Sequence, residues 1–70
     1  MNNYERWWNE CALYEHGYKA QYLIIRGSYE TWCFRNNEPL GTMVAFNRWL
    51  FIEKQCCRIA NRIYHVRIVR

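Results

Sequence analysis

The sequence predicts an α+β fold, a small antiparallel sheet with a long helix packed on one face, in the order helix, strand, strand, helix, strand. Three observations predict it. Apolar side chains recur at the helical period across residues 42–61. Residues 18–35 divide into two runs rich in aromatic and β-branched residues on either side of Gly27-Ser28. After Asn61 the period falls to two, with Tyr64, Val66 and Ile68 alternating with His65, Arg67 and Val69.

The first helix is expected from Asn2 or Asn3, either of which can cap it, to about His16, with Glu5 in the first turn and His16-Gly17 at the end. Tyr4, Trp7, Trp8, Cys11 and Tyr14 share one face. An aromatic stripe at this spacing reads as core. Tyr18 to Arg26 and Tyr29 to Arg35 read as paired strands across Gly27-Ser28, a two-residue link with glycine first. Both faces of that hairpin are apolar enough to need cover. Asn36 to Gly41 is a loop by composition.

The long helix, Thr42 to Asn61, begins at Thr42 as N-cap, with Asn37 ahead of Glu38 and Pro39 as a second candidate start. Its core stripe is Ala45, Trp49, Ile52, Cys56, Ile59 and Ala60. Met43, Phe46, Leu50 and Cys57 form a second stripe that something besides the sheet must cover, and Phe51 stands among polar neighbours. The centre of the core is expected to be Leu23, Ile25, Trp32, Phe34, Trp49, Ile52, Cys56, Ile59, Val66 and Ile68. The last strand is expected after Asn61 through to the terminus, with Ile63 to Arg70 offering an exposed edge.

Seventy residues make a single domain, 1–70, that buries only about 60% of its unfolded surface. Four Trp, six Tyr and three Phe supply the area that a short chain needs. No apolar run reaches the roughly 18 residues that span a bilayer, and the start lacks signal-peptide character, so a soluble cytoplasmic protein is expected. Cys11, Cys33, Cys56 and Cys57 include no C-x-x-C spacing, and His16 and His65 stand at no ligand distance from them, so reduced thiols and no metal or other cofactor are expected. There is no Asp, the single Ser lies between the two strands, and no nucleophile, base and orienter share a spacing, which argues against an enzyme.

Charge is uneven. Residues 1–35 are neutral, and the whole net +4 lies in residues 36–70. Arg58, Arg62, Arg67 and Arg70, near Tyr18, Tyr22 and Tyr64, are compatible with a nucleic-acid binder, although the basic-aromatic strand signature of an RNA-recognition module is missing. The surplus apolar surface, above all a long helix apolar on more than one side, favours a protein partner or a second copy. Contact is expected through Phe51, Lys54, Arg58, Arg62, Arg67 and Arg70. In size and layout the chain resembles the small single-domain inhibitors that phages encode against host defence or host machinery, anti-CRISPR proteins among them. That resemblance implies a steric mechanism, the domain occupying a partner's functional surface, and differs from the acidic DNA mimics because this chain is basic.

Overall fold

The computed structural model describes residues 3–70. The fold is α+β: three helices, α1 (Asn3–Cys11), α2 (Tyr22–Arg35) and α3 (Met43–Glu53), with three strands, β1 (Ala12–Gln21), β2 (Cys57–Ile59) and β3 (Arg62–Ile68). The sheet is antiparallel in the order β1-β3-β2. The last strand therefore lies in the middle, and its expected free edge is occupied on both sides.

Helix α1 buries Trp7, Trp8 and Cys11 as its spacing requires. It stops at Cys11 rather than His16, and Tyr14 lies on β1, half exposed. An Asn2 cap lies outside the described residues. Alternation on β1 is hidden by an irregularity: Tyr14 is opposite Val66, yet Lys19 is opposite Tyr64. The intervening bulge turns on Gly17, at φ 83°, and on His65, at φ 76°, whose Nδ1 accepts the Gly17 N–H at 2.9 Å. Beyond it Ala20 and Ile63 pair inward and are buried.

The segment read as a hairpin is helical. Tyr22, Ile25, Arg26, Tyr29, Trp32 and Cys33 are its buried residues, a stripe at three- and four-residue steps that alternation would scatter over two faces. Leu23 and Phe34, expected in the core, are eleven residues apart and share the opposite side, 77% and 89% exposed. Gly27-Ser28 is no turn. Gly27 sits mid-helix in open space, and Ser28 Oγ accepts the Trp7 Nε1–H at 3.0 Å.

Thr42 caps α3 as expected, its hydroxyl accepting the Ala45 N–H at 3.1 Å. The helix is half the expected length. Gln55 takes a left-handed φ of 56°, and the Lys54 and Cys56 N–H groups both donate to the Leu50 carbonyl. The chain then turns back as β2, pairing Cys57 with Tyr64 and Ile59 with Arg62, with residues 60–61 as the turn into β3. A helix through Asn61 would leave one side of β3 unpaired; the hairpin satisfies it. The inward face of α3 is Phe46, Trp49 and Leu50, so two members of the expected second stripe, Phe46 and Leu50, are core while Met43 and Cys57 are exposed; of the expected core stripe Trp49 and Cys56 are buried and Ala45, Ile52, Ile59 and Ala60 are exposed.

Six rings form the centre. Phe46 stacks on Tyr29 at 4.8 Å, and Tyr4, Trp7, Trp8 and Trp49 close around them at 5.3–6.1 Å. The Tyr29 hydroxyl lies 2.8 Å from Asn3 Oδ1 and 3.1 Å from the Leu40 carbonyl, and Asn3 Nδ2 donates to Pro39 O. The loop after α2 is thereby tied to the start of α1. Of the ten residues expected at the centre, Ile25, Trp32, Trp49, Cys56 and Val66 are buried and Ile68 is half-buried.

Candidate protein-docking site

Helix α2 closes the core with one face and presents apolar residues to water with the other. Its first N–H donates to the Asn61 carbonyl at 2.7 Å, which hangs the helix from the β2–β3 turn. At its end the Asn36 backbone N–H and side-chain Nδ2 both donate to the Trp32 carbonyl, and Arg35 in the last turn suits the helix dipole. Between these anchors Leu23, Ile24 and Phe34 stand 77%, 55% and 89% exposed. A side chain of that size left in water forgoes about 1.5–3 kcal/mol that burial would return.

Leu23 and Ile24 line one side of a cleft of about 570 Å³ whose far wall is the end of α1 and the tail of β3. The Val69 N–H donates to the Cys11 carbonyl at 2.9 Å and fixes that wall. Trp32 Nε1–H donates to Glu10 at 3.1 Å, and the Arg6 guanidinium lies 5.1 Å from the Trp32 ring centre. Cys11 also lines the cleft; burial pushes its thiol up, with Glu10 acting in the same direction and Arg70 and Arg35 opposing, so the group is neutral at neutral pH. Arg35 and Arg70 both line this cleft.

Ion pairs join Arg6 to Glu38, Arg26 to Glu30, Lys54 to Glu5 and Arg67 to Glu15 at 3.0–3.3 Å. Neither Arg35 nor Arg70 has a carboxylate partner among the described residues. Arg26 is the buried member: its guanidinium lies over Tyr29 and Phe46, Nε meets Glu30, and one terminal nitrogen has no partner.

The six residues expected to meet a partner do not form one patch. Phe51 is half-buried and packs on the core. Lys54 is 3.2 Å from the Glu5 carboxylate and over the rings of Trp8 and Trp49 at 5.2 and 5.4 Å, so it closes the core from outside. Arg58 lies over Tyr22 at 4.2 Å with Nε donating to Ala60 O. Arg62 and Arg67 belong to the outward sheet face with Lys19 and Tyr64, Arg67 paired to Glu15 and lying over Tyr18. Only Arg70 reaches the cleft. Leu23, Ile24 and Arg35 escaped the sequence reading because the strand assignment sent them elsewhere; the buried stripe from Tyr22 to Cys33 is the signal that would have found them.

Lys54→Met is expected to cost about 1 kcal/mol, since it keeps the stem on Trp8 and Trp49 while removing a partly screened pair and two ring contacts. Arg62→Met is expected to change stability by less than about 0.5 kcal/mol. Urea unfolding of the two variants checks the contrast, and equal losses would contradict the role given to Lys54.

No group of three or more metal-ligating side chains is found among the described residues, and no described helix is long and apolar enough to cross a membrane. Comparison with protein-family models, curated proteins and solved structures finds no match for this chain. The fold and cleft define a small α+β domain with an apolar, basic-rimmed face.

Proposed function

We propose that this chain is a non-catalytic binding protein that inhibits or modulates another protein by covering part of its surface. The observation that carries this reading is the exposure of Leu23 and Ile24 at the start of α2 and of Phe34 at its end, on a helix whose other side is already committed to the core. The second stripe expected on the long helix carries less of it, because Phe46 and Leu50 are fully buried and only Met43 and Cys57 of that stripe are exposed. The likeness in size to phage inhibitors, anti-CRISPR proteins among them, extends the proposal to a cytoplasmic partner in host defence or host machinery.

The variant Leu23→Glu/Ile24→Glu tests it. Both side chains are exposed, so folding and melting are expected to be unchanged. As affinity baits in lysate of the native host, wild-type protein is expected to retain one protein in stoichiometric amount and the variant to lose it. Equal retention by both baits would refute the proposal. A second copy is the competing occupant, which sedimentation equilibrium of wild type against variant reveals.

A nucleic-acid reading is favoured by one feature, the outward sheet face of Lys19, Arg62 and Arg67 with Tyr18 and Tyr64. The same side chains weaken it. Lys19 lies over Tyr64 at 5.6 Å and Arg67 over Tyr18 at 5.4 Å, so the ring faces on which bases would stack are covered. Salt-dependent gel retardation with short DNA and RNA is expected to show no shift at micromolar protein.

A further inference from the structure

The cleft beside α2 brings apolar side chains and cations together in one concave site. Its lining is apolar at Leu23, Ile24 and Ile68, and it carries two guanidinium groups, Arg35 and Arg70, without carboxylate partners among the described residues. Glu10 stands in the same cleft but is engaged by the Trp32 Nε1–H, which holds its charge against the α1 wall. Two guanidinium groups against one carboxylate leave the cleft a net cation, and beside apolar side chains such a site attracts a further carboxylate and gains from desolvation by a neighbouring apolar group.

We propose that this cleft recognises an acidic, apolar segment of the partner protein, its carboxylates taken by Arg35 and Arg70 and its apolar side chains seated on Leu23, Ile24 and Ile68. The inference rests on the binding-protein reading and adds the chemistry of what is bound. A nucleic-acid strand fits less well, because a phosphate backbone needs a continuous cationic track and this cleft offers two guanidinium groups. A second copy also fits less well. Glu5, Glu15, Glu30 and Glu38 are paired internally, and Glu53 beside exposed Ile52 is the acidic, apolar pair a copy would have to offer.

Panning a random peptide library against the immobilised full chain tests this. Enriched peptides are expected to carry Asp or Glu beside aliphatic or aromatic residues and to perturb the amide resonances of Leu23, Ile24, Arg35 and Arg70. Removing either guanidinium, as Arg35→Gln or Arg70→Gln, is expected to weaken binding roughly tenfold. Raised salt is expected to weaken it in wild type and to matter less in the double variant. Enrichment of neutral or basic peptides, affinity unchanged in Arg35→Gln/Arg70→Gln, or no enrichment would overturn the proposal. Association of the chain with itself that Glu53→Gln abolishes would also overturn it, by assigning the cleft to a second copy. If the partner captured from lysate binds Arg35→Gln/Arg70→Gln normally but not Leu23→Glu/Ile24→Glu, the acidic segment is refuted and the binding-protein reading stands. If neither double variant affects capture, both fall.

Discussion

Trp7→Ala is expected to lower the unfolding free energy by about 3–5 kcal/mol, whereas Phe34→Ala is expected to change it by less than about 0.5 kcal/mol. Trp7 is fully buried, meets Trp8, Tyr29 and Phe46 at ring separations of 5.6–6.1 Å, and donates its Nε1–H to Ser28. Truncation opens a cavity at the crossing of α1, α2 and α3 and leaves the Ser28 hydroxyl without its donor. A domain of seventy residues has only about 4–10 kcal/mol to lose, so this variant is expected to be largely unfolded near body temperature. Phe34 is 89% exposed on α2, and its removal takes nothing out of the core. Urea denaturation of the pair decides whether residues 22–35 are helical, because the two-stranded alternative buries Phe34 beside Trp32. A cost for Phe34→Ala that matched Trp7→Ala would sink the helix.

Stability is expected to fall steeply on the alkaline side. Burial pushes the Cys56 thiol up to about 11 from an ordinary value of 9.0, with Cys57 adding and Lys54 opposing. Burial likewise raises Cys11, Cys33 and the Tyr29 phenol. Hydrogen bonds from Tyr29 to Cys33 and from Ser28 to Cys11 oppose the shift without cancelling it. Each group holds its proton longer folded than unfolded. The stability it contributes is complete below pH 9.0 and is lost as pH rises through about 11 for Cys56. Within that window each such group lowers stability by up to about 1.4 kcal/mol per pH unit. Unfolding followed across the alkaline range is expected to show this decline, shallower in Cys56→Ala. A flat profile in wild type would mean that these thiols are open to water.

Some of this was readable from residue order. The α1 stripe of Tyr4, Trp7, Trp8 and Cys11 needs only a helical period, and Thr42 needs only its hydroxyl and the apolar run that follows. The alternation from Tyr64 to Ile68 marked β3 for the same local reason. The cleft was less legible. Arg70 was named from charge alone, while Arg35, Leu23 and Ile24 were masked by aromatic and β-branched residues that favour strands around a glycine that resembles a turn. β-propensity measures fit to a pleated, half-buried surface, and here that surface belongs to β1 and β3. Helix α2 wins because six residues at three- and four-residue steps reach one aromatic core together.

The sequence by itself determined the α+β class, the aromatic core of α1 and the excess of cations in the second half, each of which follows from composition or a single local period. Only the tertiary structure decided that residues 22–35 coil, that α3 stops at Glu53 and that β3 lies between β1 and β2. Those outcomes depend on partners distant in the chain. The Tyr22 N–H donates to the Asn61 carbonyl, the Gly17 N–H to His65 Nδ1, and β3 needs a neighbour on each side, so the choice between helix and strand was made by groups that no local window contains.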